Sequence, residues 1–266
     1  MHWVRANLRA GQSEPAVLRD IKDIEGFAVH ATDGVLGRVL DVYFDDERWV
    51  VRYFVVETGT QHANRRTLIS PMAMGIPNWI DKIIPAAITE AQVIGGPDID
   101  TDRPVSRQHE IGYMGYYGYP NYWGGGGLWG AGMYPDVLQA GRDVAIASRG
   151  NEPQRRLPGH SKSNSREARP DDVHLRSANA VMRYYVHATD GDIGHVAGIL
   201  VEEKSWEIRY VIANTSNWWL GHEVLIAPES IEDVYWAESK LMLDLNREAV
   251  KSAPEYARPG KPGSLG

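Results

Sequence analysis

The sequence predicts an all-β protein: two small β-barrels, each with a short C-terminal helix, joined by a flexible linker rich first in Gly, Tyr and Trp and then in basic residues. Three observations predict it. The run His30-Ala31-Thr32-Asp33-Gly34, followed by Gly37, returns as His187-Ala188-Thr189-Asp190-Gly191, followed by Gly194, at an offset of 157. At that offset the chain aligns with itself without a gap from about residue 18 to residue 97, and a fixed offset over such a span marks a duplication. Within each copy, short aromatic and β-branched stretches alternate with turn residues, which is the pattern of closely spaced strands. The copies read as 17–99 and 173–256, with an N-terminal extension over 1–16, the linker over 100–172 and a disordered tail over 257–266.

The elements are clearest in the second copy. Tyr184-Tyr185-Val186-His187-Ala188 is a strand, and Asp190-Gly191 turns it, because Asp-Gly accepts the positive φ of a tight hairpin. A second strand follows over 194–201, and Glu202-Glu203-Lys204-Ser205 is a polar turn. Trp206, Ile208 and Tyr210 then alternate with Glu207 and Arg209, the period of two of a half-buried strand. Strands are expected over 223–226, 231–236 and 241–245. Asn246 is placed to cap a short helix over 247–251, which stops before Pro254. About six short strands and one helix suit a small barrel, whose closure would remove exposed edges.

The first copy repeats this plan, with a hairpin at Asp45-Asp46-Glu47-Arg48 leading into a strong strand over 49–56. Pro85 lacks a backbone donor and so belongs at an edge or a strand end. Met72 to Pro77 is more apolar than its counterpart, and predicts an apolar surface facing the other barrel. Identities outside the signature include Leu18/Leu175, Arg19/Arg176, Trp49/Trp206, Arg52/Arg209, Tyr53/Tyr210 and Trp79/Trp236.

In the middle, residues 113–134 carry Tyr116, Tyr117, Tyr119, Tyr122, Trp123 and Trp129 among many glycines. Gly-rich chain stays flexible, yet exposed aromatics are costly at roughly 25 cal/mol per Å2, so the stretch is expected to be sticky. It is expected to drape on a barrel, self-associate or bind a partner. Residues 142–169 are basic and rich in Ser, Pro and Asn, a composition that predicts a disordered tether.

The signature His-Ala-Thr-Asp-Gly-x-x-Gly, the acidic turn, Trp-x-x-Arg-Tyr and a later Leu-Ile-x-Pro resemble the PRC-barrel family. That family includes the cytoplasmic domain of the photosynthetic reaction-centre H subunit and the C-terminal domain of the ribosome-maturation factor RimM. The resemblance covers both copies and implies adaptor roles in unrelated assemblies. It implies a bacterial protein in a cytoplasmic setting. Neither named member is matched over its full length.

A net charge of −7 argues against broad nucleic-acid binding, and the absence of cysteine excludes disulfides, thiolate metal sites and cysteine nucleophiles. No apolar run of about 18 residues exists, so no membrane span is expected, and the N-terminus lacks a signal-peptide core.

His30 and Asp33, with His187 and Asp190, are candidate metal or acid–base residues. The structural alternative has Asp33, Gly34, Gly37, Asp190, Gly191 and Gly194 forming turns while the histidines pack at strand ends. Arg52 and Arg209 are candidate anion ligands or, with a nearby carboxylate, cross-strand ion pairs. Trp218 and Trp219, in a loop where the first copy has Gln61-His62-Ala63-Asn64, join the six middle aromatics as candidate interaction residues. No nucleophile–base pair, phosphate loop or His-x-x-x-His stands out. The expectation is a non-enzymatic scaffold, without cofactor, that binds a protein partner of unknown identity or itself. The alternatives are an RNA- or ribosome-associated factor similar in role to RimM, a reaction-centre-related protein by resemblance alone, and a small-ligand or metal-binding barrel.

Overall fold

The computed structural model describes residues 4–5, 16–59, 65–97, 105–123, 125–135, 174–216, 219 and 222–257. The chain is mostly β, and its elements repeat at the offset of the sequence. The first copy contains β2 (Val17–Asp20), β3 (Ala28–His30), β4 (Val35–Asp45), β5 (Val50–Thr58), β6 (Arg65–Ile69), β7 (Ile83–Pro85) and α1 (Glu90–Ile94), after β1 (Val4–Arg5). Helix α2 (Arg107–Tyr117) follows. The second copy contains β8 (Leu175–Ser177), α3 (Ala178–Val181), β9 (Tyr185–Ala188), β10 (Gly191–Glu202), β11 (Ile208–Asn214), β12 (Glu223–Ile226), β13 (Ile231–Tyr235), β14 (Lys240–Leu243) and α4 (Arg247–Lys251). Asn246 caps α4 by accepting from the Ala249 amide at 2.8 Å, and Thr89 caps α1 in a reciprocal capping box with Gln92.

Two sheets form. One runs β6-β5-β4-β3-β7, with β8 added to the far end of β4; the other runs β1-β2-β10-β9-β14-β13, with β11 and β12 branching from β10. Neither closes. This corrects the expectation of closed barrels: hydrogen bonding ends at β6 and β7 in the first sheet. Pro85 occupies the end of β7, an edge strand, where its missing donor costs nothing in the ladder.

The sheets do not follow the repeat boundaries. Strand β2 belongs to the first copy but pairs with β10 of the second, with Arg19 opposite Val201. Strand β8 belongs to the second copy but pairs with β4 of the first, with Arg176 opposite Phe44. Each copy thus lends its first strand to the other. The β4–β5 and β10–β11 turns meet at the centre, where the Val51 amide donates to the Trp206 carbonyl at 2.9 Å and the Ile208 amide to the Trp49 carbonyl at 2.7 Å. Trp49 and Trp206 both hold positive φ, 54° and 61°, a region bulky residues rarely enter.

One continuous hydrophobic core runs through both copies. Met72, Ala73 and Met74 lie in it, whereas Ile76 is 68 % exposed. The apolar stretch beginning at Met72 is therefore mainly core rather than a surface offered to the other copy.

The described part of the middle segment is folded against the first copy, which corrects its reading as flexible linker. Ser106 caps α2, and Gly118 ends it with φ 66°. Tyr113, Met114, Tyr117, Tyr119, Tyr122 and Trp129 are all buried. Composition misleads here because the glycines permit tight turns while the aromatics supply the apolar area that holds them down. The basic stretch over 142–169 and most of the tail lie outside the described residues.

Candidate functional site

The duplicated signature resolves into backbone roles. Asp33 accepts the Glu90 amide at 2.9 Å and Asp190 the Arg247 amide at 2.8 Å, so each aspartate anchors the start of its copy's terminal helix. A Cβ at Gly37 would sit 1.8 Å from the Glu57 carbonyl oxygen, and one at Gly194 would sit 1.9 Å from that of Asn214. These glycines let neighbouring strands approach. Gly191 has φ 140°, whereas a Cβ on Gly34 would meet nothing within 4 Å. The histidines part company: His187 Nδ1 lies 2.5 Å from Asp192 Oδ1, while His30 has Val35 and Pro85 as its cross-strand neighbours. Among the described residues no group of three or more His, Asp or Glu is arranged to hold a metal ion.

The two arginines also diverge. Arg52 is fully buried and pairs with Asp45 at 3.3 Å, the cross-strand partnership expected of it. It donates to the Leu128 carbonyl at 2.7 Å and lies over the Tyr122 ring at 3.8 Å and the Trp129 ring at 4.9 Å. Burial lowers its pKa, and the Asp45 carboxylate opposes that. Arg209 is exposed and pairs at 2.7 Å with Glu207, which immediately precedes its strand.

Beside Arg52 lies a polar knot that the sequence reading missed. Glu110 of α2 accepts from the Tyr53 hydroxyl at 3.2 Å, from Arg107 at 2.9 Å and from the Tyr122 hydroxyl. Burial raises the Glu110 carboxyl above its ordinary 4.5, with Arg107 and the two tyrosines pulling the other way. Burial likewise pushes the Tyr53, Tyr113 and Tyr122 hydroxyls well above 10. The legible signal was Ser106 followed by a helix-compatible run with Glu110 in its first turn.

Of the eight candidate interaction aromatics, Tyr117, Tyr119, Tyr122 and Trp129 are buried, and the Trp129 indole donates to the Ser205 carbonyl of the second copy at 2.8 Å. Tyr116 is half exposed and bonds the Gln92 carbonyl. Trp123 lies under the Arg107 guanidinium at 4.6 Å. Trp219 stacks on His222 at 3.6 Å, and Trp218 lies outside the described residues.

Exposed aromatic surface is found elsewhere. On the outer face of the second sheet, His195, Tyr185, Lys240 and Tyr235 stand side by side across β10, β9, β14 and β13. Tyr185 is 60 % exposed and Tyr235 and Trp236 are each 45 % exposed. The positions at the same offset in the first copy are Ala28, Arg38, Asn78 and Ile83, which include no aromatic residue. Beside the aromatic row, a cleft of about 990 Å3 opens between the copies, lined by Asp46, Glu47, Glu207, Glu229, Glu232 and Asp233 with His174, Arg48 and Arg176. Burial raises the Asp46 carboxyl, against the pull of Arg176 at 2.5 Å. The site is thus an exposed aromatic sheet face bordered by a cleft in which carboxylates outnumber cations. No helix among the described residues is long and apolar enough to cross a membrane. No protein-family model matches the sequence, and no curated protein matches it.

Proposed function

We propose that this chain is a non-enzymatic scaffold of the PRC-barrel kind, which binds a protein partner through the outer face of its second sheet. The exposed row of Tyr185, Lys240 and Tyr235, with Trp236 beside it, carries this reading. Large aromatics standing on strands offer contact area that needs little ordering, and such residues are enriched at protein interfaces. The buried middle aromatics are already engaged within the chain, which favours the sheet face over them as the contact. Apart from β13, which has no strand counterpart in the first copy, the shared element order supports reading each copy as one PRC-type unit.

A photo-crosslinking residue at position 185, compared with one at Glu57 on the first copy, tests this in the native host. Crosslinks to one identified protein from position 185, lost in the Tyr235→Ser variant, are the expected result. Equal crosslinking from both positions, unchanged by the substitution, would refute it.

A further inference from the structure

Three of the pairs kept between the copies, Arg19/Arg176, Trp49/Trp206 and Trp79/Trp236, lie where the copies touch. Arg19 pairs with Glu203 of the other copy at 2.9 Å and lies over Trp79 at 4.5 Å. Arg176 pairs with Asp46 of the other copy at 2.5 Å and lies over Trp236 at 5.7 Å. The Glu203 amide donates to the Val17 carbonyl, and the Asp46 amide to the His174 carbonyl, each at 3.0 Å. Lys22 Nζ reaches the Ala197 carbonyl and Asn179 Nδ2 the Leu40 carbonyl. Every one of these contacts has its counterpart at the offset of 157, so the chain holds an internal two-fold interface.

We propose that the two copies are obligate partners, each completed by a strand of the other, and that two first copies are barred from pairing with each other. Strand loss would leave β4 and β10 with unpaired backbone over the stretches that β8 and β2 cover, and buried unpaired amides are costly. The specificity lies in one exchanged position. Asp41 of β4 meets Ser177 of β8, whose hydroxyl it accepts at 2.5 Å. The counterpart of Asp41 is Gly198, and a Cβ there would lie 2.9 Å from the Asp20 carboxylate of β2. A pair of two first copies would set the Asp20 carboxylate against that of Asp41. Like charges so placed reject that pairing.

The test uses the full chain with a protease site introduced within 142–169. After cleavage at micromolar concentration, the two fragments are expected to elute together at the intact mass, as a 1:1 complex by native mass spectrometry. Separation into unfolded fragments also supports mutual completion; separation into two fragments that each melt cooperatively overturns it. Hydrogen exchange on the uncut chain gives an independent reading. Arg19→Pro should deprotect residues 200–202 of the second copy, and Arg176→Pro residues 43–45 of the first. Deprotection confined to the substituted copy overturns the proposal. Gly198→Asp should then weaken the cleaved complex at least tenfold, and an unchanged affinity would remove the specificity claim.

Discussion

Gly34 and Gly37 stand three residues apart in one signature, yet only one of them is sterically required. Alanine at Gly37 or at Gly194 would drive a methyl group into a backbone carbonyl that cannot swing away. Each substitution should cost about 1–3 kcal/mol, the range of an overpacked core. Alanine at Gly34 meets open space and should leave stability within about 0.5 kcal/mol of the parent. Urea denaturation of the three variants checks this ordering. A large loss for Gly34→Ala would mean that the signature serves something other than strand approach. The residue pattern was legible, because the signature occurs twice, but its reason was not. A close approach between strands involves Glu57 and Asn214, residues the signature does not contain.

At the scale of the element, α2 and the hairpin after it act as a strap fastened by charge. Its buried Glu110 has a raised pKa, so the folded state holds the proton more tightly than the unfolded chain does. That contribution to stability is full below pH 4.5 and is lost as pH rises through the higher folded value. Asp41 and Asp46 are raised by burial and act in the same direction. Glu110→Gln keeps an acceptor for the tyrosine hydroxyls and removes the titration. The fall in Tm between pH 5 and pH 7 should therefore be smaller in this variant than in the parent. An identical fall in both, by calorimetry, would place the pH dependence elsewhere. Strands and the terminal helix were legible from period and caps, with Asn246 as a clear case. The strap was not, since glycine and tyrosine in such proportion also describe chain that never packs. What decides is whether a surface exists to receive the rings, and that surface, Tyr53 and the residues around Ser70, lies more than forty residues earlier.

For the whole molecule, a main core shared by both copies and two exchanged strands predict one unfolding event. Trp129 joins the strap to the Ser205 turn of the second copy and is fully buried. Trp129→Ala should cost about 3–5 kcal/mol and lower both copies together, in a single transition. Two transitions, with only the first copy shifted, would contradict this. Duplication was plain from the offset alone. Exchange was not, because Val17-Leu18-Arg19-Asp20 has no apolar–polar alternation to set its buried face, and nothing in it says which neighbouring strand receives it. The repeated Arg19/Arg176 and Trp79/Trp236 carried the clue, since a shared fold explains glycines and aspartates more readily than paired guanidinium groups over indoles.

The exchange also sets an order of events during synthesis. Strand β4 is complete once Asp45 has been made, but the strand that covers its end is not finished until Ser177. At about 5–20 residues per second, that edge waits on the order of ten seconds for its partner. The strap emerges well within the interval and can cover Tyr53 and Arg52 before the second copy exists. During the wait the strap can shield Tyr53 and Arg52, but the end of β4 stays uncovered, and completion of the first copy falls after Ser177.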